Sequence, residues 1–337
     1  MTTAAPPRVQ PPLARAVALT APATPADAAA MAAVPGVVVA PLHPLFAAEI
    51  TGLDLTRRQT AAEVALVEAA MATYGVCVVR DASLDDDDHI AFSRQFGPLE
   101  WAPKQQSVPG MPARPRRLRG ELFDASNLDA SGRILTTEQR KLALGAERFH
   151  QDSSFNPLPT KWSLLLGHVV PLVGGDTLFV DTRVAFEGLD PALQATIEPL
   201  TVIHDFFRGR ERAGLAGVTP EMRATLPPVS HPLVRSFPNG RKGMHIGGHA
   251  SGIAGWNEDE GLALLERLYA EATAPDRVYA HKWRARDLVI WDNRTVLHAA
   301  TRLPSDDHPR DVRRTTINEH GEERSHDWIA AATPASG

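Results

Sequence analysis

Apolar residues recur along this chain with two periods, and those periods sort most of it into short elements. Val37 to Val39 and Glu49 to Leu55 read as short strands, punctuated by Pro41 and Gly52. Residues 61–72 carry Val64, Leu66, Val67 and Ala70 at near-helical spacing, and Tyr74 to Arg80 reads as a buried strand. Asp85 to Asp88 precede Ile90, Phe92 and Phe96, the pattern of a helix that opens with carboxylates at its positive end. Further on, Trp162 to Val170 is a strand, Gly174-Gly175 a turn, and Leu178 to Val180 the start of another strand; Pro191 to Ile197 is helical. Residues 229–237 and 243–247 flank Pro238-Asn-Gly-Arg241, a hairpin signal. Asn257, followed by Glu260 and by Leu262, Leu265, Leu268 and Tyr269, predicts an N-capped amphipathic helix. Val278 to His281, Leu288 to Trp291 and Arg313 to Ile317 complete the strands. With no internal repeat and no linker after residue 36, the mixture predicts one α+β domain with a β-rich core instead of alternating βαβ units.

Two stretches fall outside this patterning. Residues 1–35 are rich in Ala, Pro and Thr, and prolines and Asp27 interrupt any apolar run, so a secretory signal is excluded and a disordered tail expected. Arg8 and Arg15 in a segment nearly free of acids make a transit peptide the runner-up. Residues 100–146 form a long Pro- and Arg-rich connection, a length typical of functional lids or disordered inserts. The expected organisation is therefore a tail over 1–35, one domain over 36–320 and a C-terminal tail over 321–337.

Composition narrows the function classes. A net charge of −5 argues against nucleic acid or an anionic membrane as partner, and the run Arg114, Arg116, Arg117, Arg119 reads as a solvated loop. No apolar run approaches the roughly 18 residues of a membrane span. The single Cys77 excludes an intramolecular disulfide and a cysteine metal cage. The expectation is a cytoplasmic protein acting on a small molecule, with assembly into a homo-oligomer left open.

Four local patterns carry chemistry. In Phe149-His-Gln-Asp-Ser-Ser-Phe155 an extended strand would turn His150 and Asp152 to one face, ready for one metal ion. With 13 histidines present, a His-x-Asp arises readily by chance, and alone it would be read as a polar surface pair. The strand Leu288-Val-Ile-Trp-Asp-Asn then leads to an exposed His298, the third ligand of a two-His, one-carboxylate face. Such a face leaves open positions on an octahedral ion and suits non-haem iron(II), whereas catalytic zinc usually keeps one open position. Gly174-Gly-Asp-Thr177 delivers a hydroxyl, and Arg310-Asp-Val-Arg-Arg314 offers guanidinium groups that match carboxylates.

In this order the patterns, with Ala48-Glu-Ile-Thr-Gly-Leu-Asp54, Phe92-Ser-Arg-Gln-Phe-Gly-Pro98 and Ser126-Asn-Leu-Asp129, resemble the taurine and 2,4-dichlorophenoxyacetate (TauD/TfdA) dioxygenase family from about residue 36 to 320. The Ser-Asn-Leu-Asp and Ser-Ser-Phe segments are closer to the aryloxyacetate and xanthine hydroxylase branches than to the taurine branch. The resemblance implies a double-stranded β-helix, a cupin-type jelly roll with flanking helices, and the metal at one mouth. It implies that His150, Asp152 and His298 are the catalytic iron(II) ligands. Thr177 and Arg310 would hold the cosubstrate 2-oxoglutarate, and Arg314, with Ser153, would meet the substrate's acid group; O₂ is the oxidant. One extra residue between His298 and the arginines leaves Arg310 and Arg313 as alternatives for the cosubstrate. Gln151 departs from the smaller residues usual between the first two ligands. The expected substrate is an aryloxyalkanoate, then xanthine or a related heterocycle, then an alkylsulfonate such as taurine. A metallohydrolase and a catalytically silent cupin-like binding module are the rivals from other classes.

Overall fold

The computed structural model describes residues 24–102, 117–136, 146–303 and 307–325. Its strands are arranged as two facing layers with helices outside them, and strict alternation along each central strand explains the layering. In Val76–Val79, Val76 and Val78 point inward while Cys77 and Val79 point outward. Leu165 points inward between Leu164 and Leu166, and Val289 and Trp291 alternate with Leu288 and Ile290. These strands are neighbours in one sheet, with Leu288 opposite both Val79 and Leu166. Among the described residues that sheet runs Val38–Pro41, Ala48–Thr51, Val76–Val79, Leu288–Asp292, Thr160–Val169, Asp311–Asn318, Leu99–Trp101 and Arg324–Ser325, with Phe123–Asp124 also on Asp311–Asn318.

The facing layer contains Tyr279–His281, Thr177–Asp181 and Val296–Ala300, and beside it Ala250–Ile253, Thr201–His204 and Val229–Pro232. Between the layers lies a core of Val76, Val78, Leu165, Phe179, Trp283, Val289, Trp291, Val296 and Val312. The outer face of the large sheet packs on helix Ala61–Tyr74 through Leu66, Val67, Ala70 and Met71, and on helix Asp86–Arg94 through Ile90 and Phe92. The outer face of the other layer buries Val180, Leu297 and Ala299 against Leu265 and Leu268 of helix Glu258–Ala272. This is the α+β jelly roll expected.

Several expectations need correction. One βαβ unit is present: Ala48–Thr51 and Val76–Val79 pair in parallel, joined by helix Ala61–Tyr74. A reciprocal Thr60–Glu63 capping box starts that helix and Gly75, at φ 69°, ends it. The expected tail does not hold for its last third. Pro25–Ala32 is a helix capped by the Thr24 side chain on the Asp27 amide, and Met31 and Val34 pack on the core; residues 1–23 lie outside the described ones. At the other end Arg324–Ser325 pairs in parallel with Leu99–Trp101, so residues 321–325 are not simply a tail. The hairpin at Pro238 is confined to Val234–Ser236 and Lys242–Met244, because Val229–Pro232 pairs with Thr201–His204 instead. Within the long connection, residues 103–116 and 137–145 lie outside the described ones. Arg117 is no solvated loop residue: its guanidinium grips Asp124 and Asp311. No helix among the described residues is long and apolar enough to cross a membrane.

Candidate metal centre

The site forms where the two layers close on each other. His150 and His298 exchange backbone hydrogen bonds, N to O at 2.9 Å in each direction, as an isolated antiparallel bridge. The extended geometry expected through Asp152 stops at that bridge, and Asp152 already begins a turn. The bridge sets the two imidazoles side by side, ring centroids 4.3 Å apart, and the turn brings the carboxylate in below them. One ligand atom from each of His150, Asp152 and His298 lies within 4.8 Å of the others. His298, expected to be exposed, is buried in strand Val296–Ala300, with Trp291 4.7 Å from its ring.

His150 and Asp152 are held by hydrogen-bond partners, whereas His298 Nδ1 is buried with none among the described residues. His150 Nδ1 donates to the Arg148 carbonyl at 2.9 Å, which leaves Nε2 as the free lone pair facing Asp152. Burial lowers the proton affinity of His150 and pushes His298 down to about 3, so both rings are neutral near pH 7. Burial opposes ionisation of Asp152, but Arg314 and the two imidazoles outweigh it and hold its carboxyl well below the usual range. Arg314 Nη1 donates to Asp152 Oδ1 at 2.5 Å and Ser163 Oγ to Oδ2 at 2.7 Å. Asn293 receives the Asp152 amide and the Trp291 indole on Oδ1 and donates through Nδ2 to Ser163, so the Trp-Asp-Asn motif buttresses the carboxylate. Neutral imidazoles and an ionised carboxylate are the states a divalent metal needs, and the donor set fits non-haem iron(II).

A second group of residues has the character of an anion pocket. The Arg310 guanidinium has no carboxylate partner among the described residues; it donates to the Ala125 carbonyl at 3.2 Å, its Nε is buried and unpaired, and burial pushes it down to about 10. Its backbone is fixed by Asn127, whose side chain accepts from the Arg310 amide at 2.7 Å. Trp283 links it to Thr177, since Arg310 lies 6.0 Å from the indole centroid and Trp283 Nε1 donates to Thr177 Oγ at 3.0 Å. Arg313 points elsewhere and spends its charge on Asp86 and Asp311. Ser153 is also spoken for. Its hydroxyl donates to Glu100 at 2.7 Å and its backbone is left-handed, φ 52°. Gln151 is buried with both amide atoms unpaired.

Sequence reading missed a wall beside His150. The His249 ring lies 5.7 Å from that of His150, edge-on, and Phe155 and Phe206 pack on His249 at 4.9 and 6.1 Å. Ser154 Oγ bridges His249 Nδ1 at 3.1 Å and His204 Nδ1 at 3.0 Å. His204 Nε2 meets the His245 carbonyl and must donate, so the neutral ring accepts the Ser154 proton on Nδ1. Ser154 Oγ in turn accepts from His249 Nδ1–H, which leaves His249 Nε2 as a hydrogen-bond acceptor. The available signal was His245-Ile-Gly-Gly-His249: Gly247, at φ 117°, packs where a Cβ would sit 3.1 Å from His150 Cα.

Residues 39–316 match the model of the taurine catabolism dioxygenase TauD, TfdA family. The chain is 38% identical over 284 residues to an alpha-ketoglutarate-dependent 2,4-dichlorophenoxyacetate dioxygenase of Cupriavidus pinatubonensis, covering 83% of this chain and 97% of that one. It is 32% identical over 278 residues to an (S)-phenoxypropionate/alpha-ketoglutarate-dioxygenase of Sphingobium herbicidovorans, covering 79% and 90%. Among solved structures, AAD-2 in complex with Mn(II) and N-oxalylglycine superposes with a TM-score of 0.76 at 36% identity, over 86% of this chain and 98% of that one.

Proposed function

The chain belongs to the TauD/TfdA family and is a 2-oxoglutarate-dependent non-haem iron dioxygenase, and from that premise we propose that it hydroxylates an aryloxyalkanoic acid at the carbon beside the ether oxygen. The resulting hemiacetal collapses to a phenol and an oxo acid. The observation that carries the reading is a metal face bordered by buried guanidinium groups, in a chain whose relatives act on 2,4-dichlorophenoxyacetate and phenoxypropionate.

Bound iron(II), with 2-oxoglutarate and O₂, supplies the oxidising chemistry that inserts one oxygen atom into a C–H bond while succinate and CO₂ leave. His150 and His298 offer Nε2 lone pairs and Asp152 its carboxylate. Arg314 and Ser163 keep that carboxylate ionised and aimed. Arg310 receives the distal carboxylate of 2-oxoglutarate, and Thr177 assists. Because Thr177 Oγ already accepts from Trp283, its own O–H is left to donate to that carboxylate. Arg314, beside the metal face, is the proposed first contact for the substrate's acid group.

The test is an assay of phenol and succinate with iron(II), ascorbate and 2-oxoglutarate across aryloxyacetates, aryloxypropionates, alkylsulfonates and purines. Stoichiometric phenol from an aryloxyalkanoate supports the reading. Succinate coupled only to a purine or a sulfonate replaces it.

A further inference from the structure

The Ser126-Asn-Leu-Asp129 segment supplies none of the metal ligands, yet it begins as a ladder along strand Asp311–Asn318. Phe123 and Asp124 pair with Arg314 and Arg313. The ladder continues past them, with Ala125 N donating to the Val312 carbonyl at 3.2 Å and Ser126 Oγ accepting from the Val312 amide at 3.0 Å. At Arg310 the pairing changes character. The Asn127 amide donates to the Arg310 carbonyl at 3.1 Å, but the Asn127 carbonyl is given to the Leu135 amide at 2.8 Å. The Asn127 side chain stands in for it. Its Oδ1 accepts from the Arg310 amide at 2.7 Å, and its Nδ2 donates to the His308 carbonyl at 2.8 Å. One buried side-chain amide thus fixes the backbone at two positions, 308 and 310.

This tie comes where the large sheet stops guiding the chain. Val312 faces Gly167 and Asp311 faces Val169, so strand Thr160–Val169 carries one extra residue, His168, at this step. Such a bulge bends the ladder and re-aims the side chains beyond it. Arg310 lies beyond it, because the pairing ends at Asp311. Its Nε is buried with no partner among the described residues, and a guanidinium so placed is drawn toward water. Residues 125–127 oppose that pull at both ends of Arg310, holding its backbone through Asn127 and its Nη1 through the Ala125 carbonyl at 3.2 Å. We propose that Asn127 is a positioning residue that, through Arg310, sets the grip of the protein on the distal carboxylate of 2-oxoglutarate. A guanidinium fork held in place before the carboxylate arrives binds it without the ordering cost that a loose side chain meets. The inference rests on the reading that Arg310 receives that carboxylate.

The experiment measures, by calorimetry on the Mn(II)-loaded protein, the binding of 2-oxoglutarate and of 2-oxopentanoate, which lacks the distal carboxylate. The ratio of the two dissociation constants reports the grip on that carboxylate. Asn127→Ala is expected to weaken 2-oxoglutarate about tenfold while 2-oxopentanoate and Mn(II) stay within about twofold, so the ratio falls. Added to Arg310→Gln, Asn127→Ala should lower the ratio no further. A wild-type ratio in Asn127→Ala overturns the proposal, as does an equal loss for both oxo acids or a further fall on top of Arg310→Gln. Arg310→Gln alone separates the proposal from the reading beneath it. If that variant keeps the wild-type ratio, the assignment of Arg310 fails and the proposal falls with it. If it collapses the ratio and Asn127→Ala does not, only the proposal fails. Should the alanine variant not fold, Asn127→Ser decides, because its hydroxyl is too short to span both ties: a lowered ratio supports the proposal and the wild-type ratio overturns it.

Discussion

Asp152 and Asn293, 141 positions apart in sequence, meet with the Asp152 amide on the Asn293 side-chain oxygen at 3.2 Å. Asn293 touches the ligand's backbone and, through Ser163, its carboxylate, so it sets the carboxylate's aim without binding metal. Asn293→Ala is expected to weaken iron(II) about 10- to 100-fold, the usual cost of losing such a support. His298→Ala abolishes turnover outright. Metal titration of the folded variants checks both, and an Asn293→Ala protein with wild-type iron affinity would remove Asn293 from the support.

Arg310 and Arg313 separate by their partners. Losing a charge-assisted bond costs about 1.5–3 kcal/mol, so Arg310→Gln should raise the 2-oxoglutarate constant tenfold or more. Arg313→Gln releases Asp86 and Asp311 and should lower the melting temperature while leaving that constant within twofold. The reverse result would give the cosubstrate to Arg313.

Acid should destabilise the metal-free fold through its buried imidazoles. His89 and His204 are each pushed by burial down to about 3, from an ordinary value of 6.5. Between those values the unfolded chain binds protons that the fold refuses, so stability falls as pH falls below 6.5 and is unaffected well above it. The loss between pH 7 and pH 5 is on the order of 2 kcal/mol for each such ring. Melting curves at pH 7.5, 6 and 5 measure it, and His204→Gln should flatten the trend by one proton's worth; an unaltered slope would show that His204 does not titrate on unfolding.

Helix Pro25–Ala32 makes its own forecast. Truncation through residue 35 strips Met31 and Val34 from the core beside helix Ala61–Tyr74, at a cost of about 1–3 kcal/mol from lost apolar burial. The melting temperature should drop while kcat of the surviving folded protein stays close to wild type. No shift in melting would mean the helix adds nothing to the core.

The large sheet was legible because strands such as Thr160–Val169 and Leu288–Asp292 are long enough to show their pattern, and helix Glu258–Ala272 because its apolar stripe runs four turns. Helices Thr182–Glu187, Phe206–Arg212 and Pro220–Thr225 are too short to display a 3.6-residue period, so the wall built on Phe206 stayed hidden. Pro25–Ala32 was hidden by composition: an Ala-rich helix with no fully buried residue looks like a tail, although Thr24-Pro25 and Asp27 spell an N-terminus. The metal ligands were readable as residue types, but the expected strand face was the wrong mechanism. The His150–His298 bridge and the turn at Asp152 do that work. Arg310 and Arg313 were indistinguishable because a register shift between Asp311 and Val312 breaks the alternation that would have told them apart.

The short contact between Arg314 and Asp152 spans 162 positions of chain and ties the ligand turn of the facing layer, where His150 pairs with His298, to the large sheet. Contacts of such long range carry a high closure entropy and are satisfied late in folding. A nascent chain therefore has no grip on iron until its two layers have met, and loading reports that folding is finished. An oxidant-generating ion is in this way kept from a half-folded protein by chain topology alone, before any active-site chemistry is in place to control it.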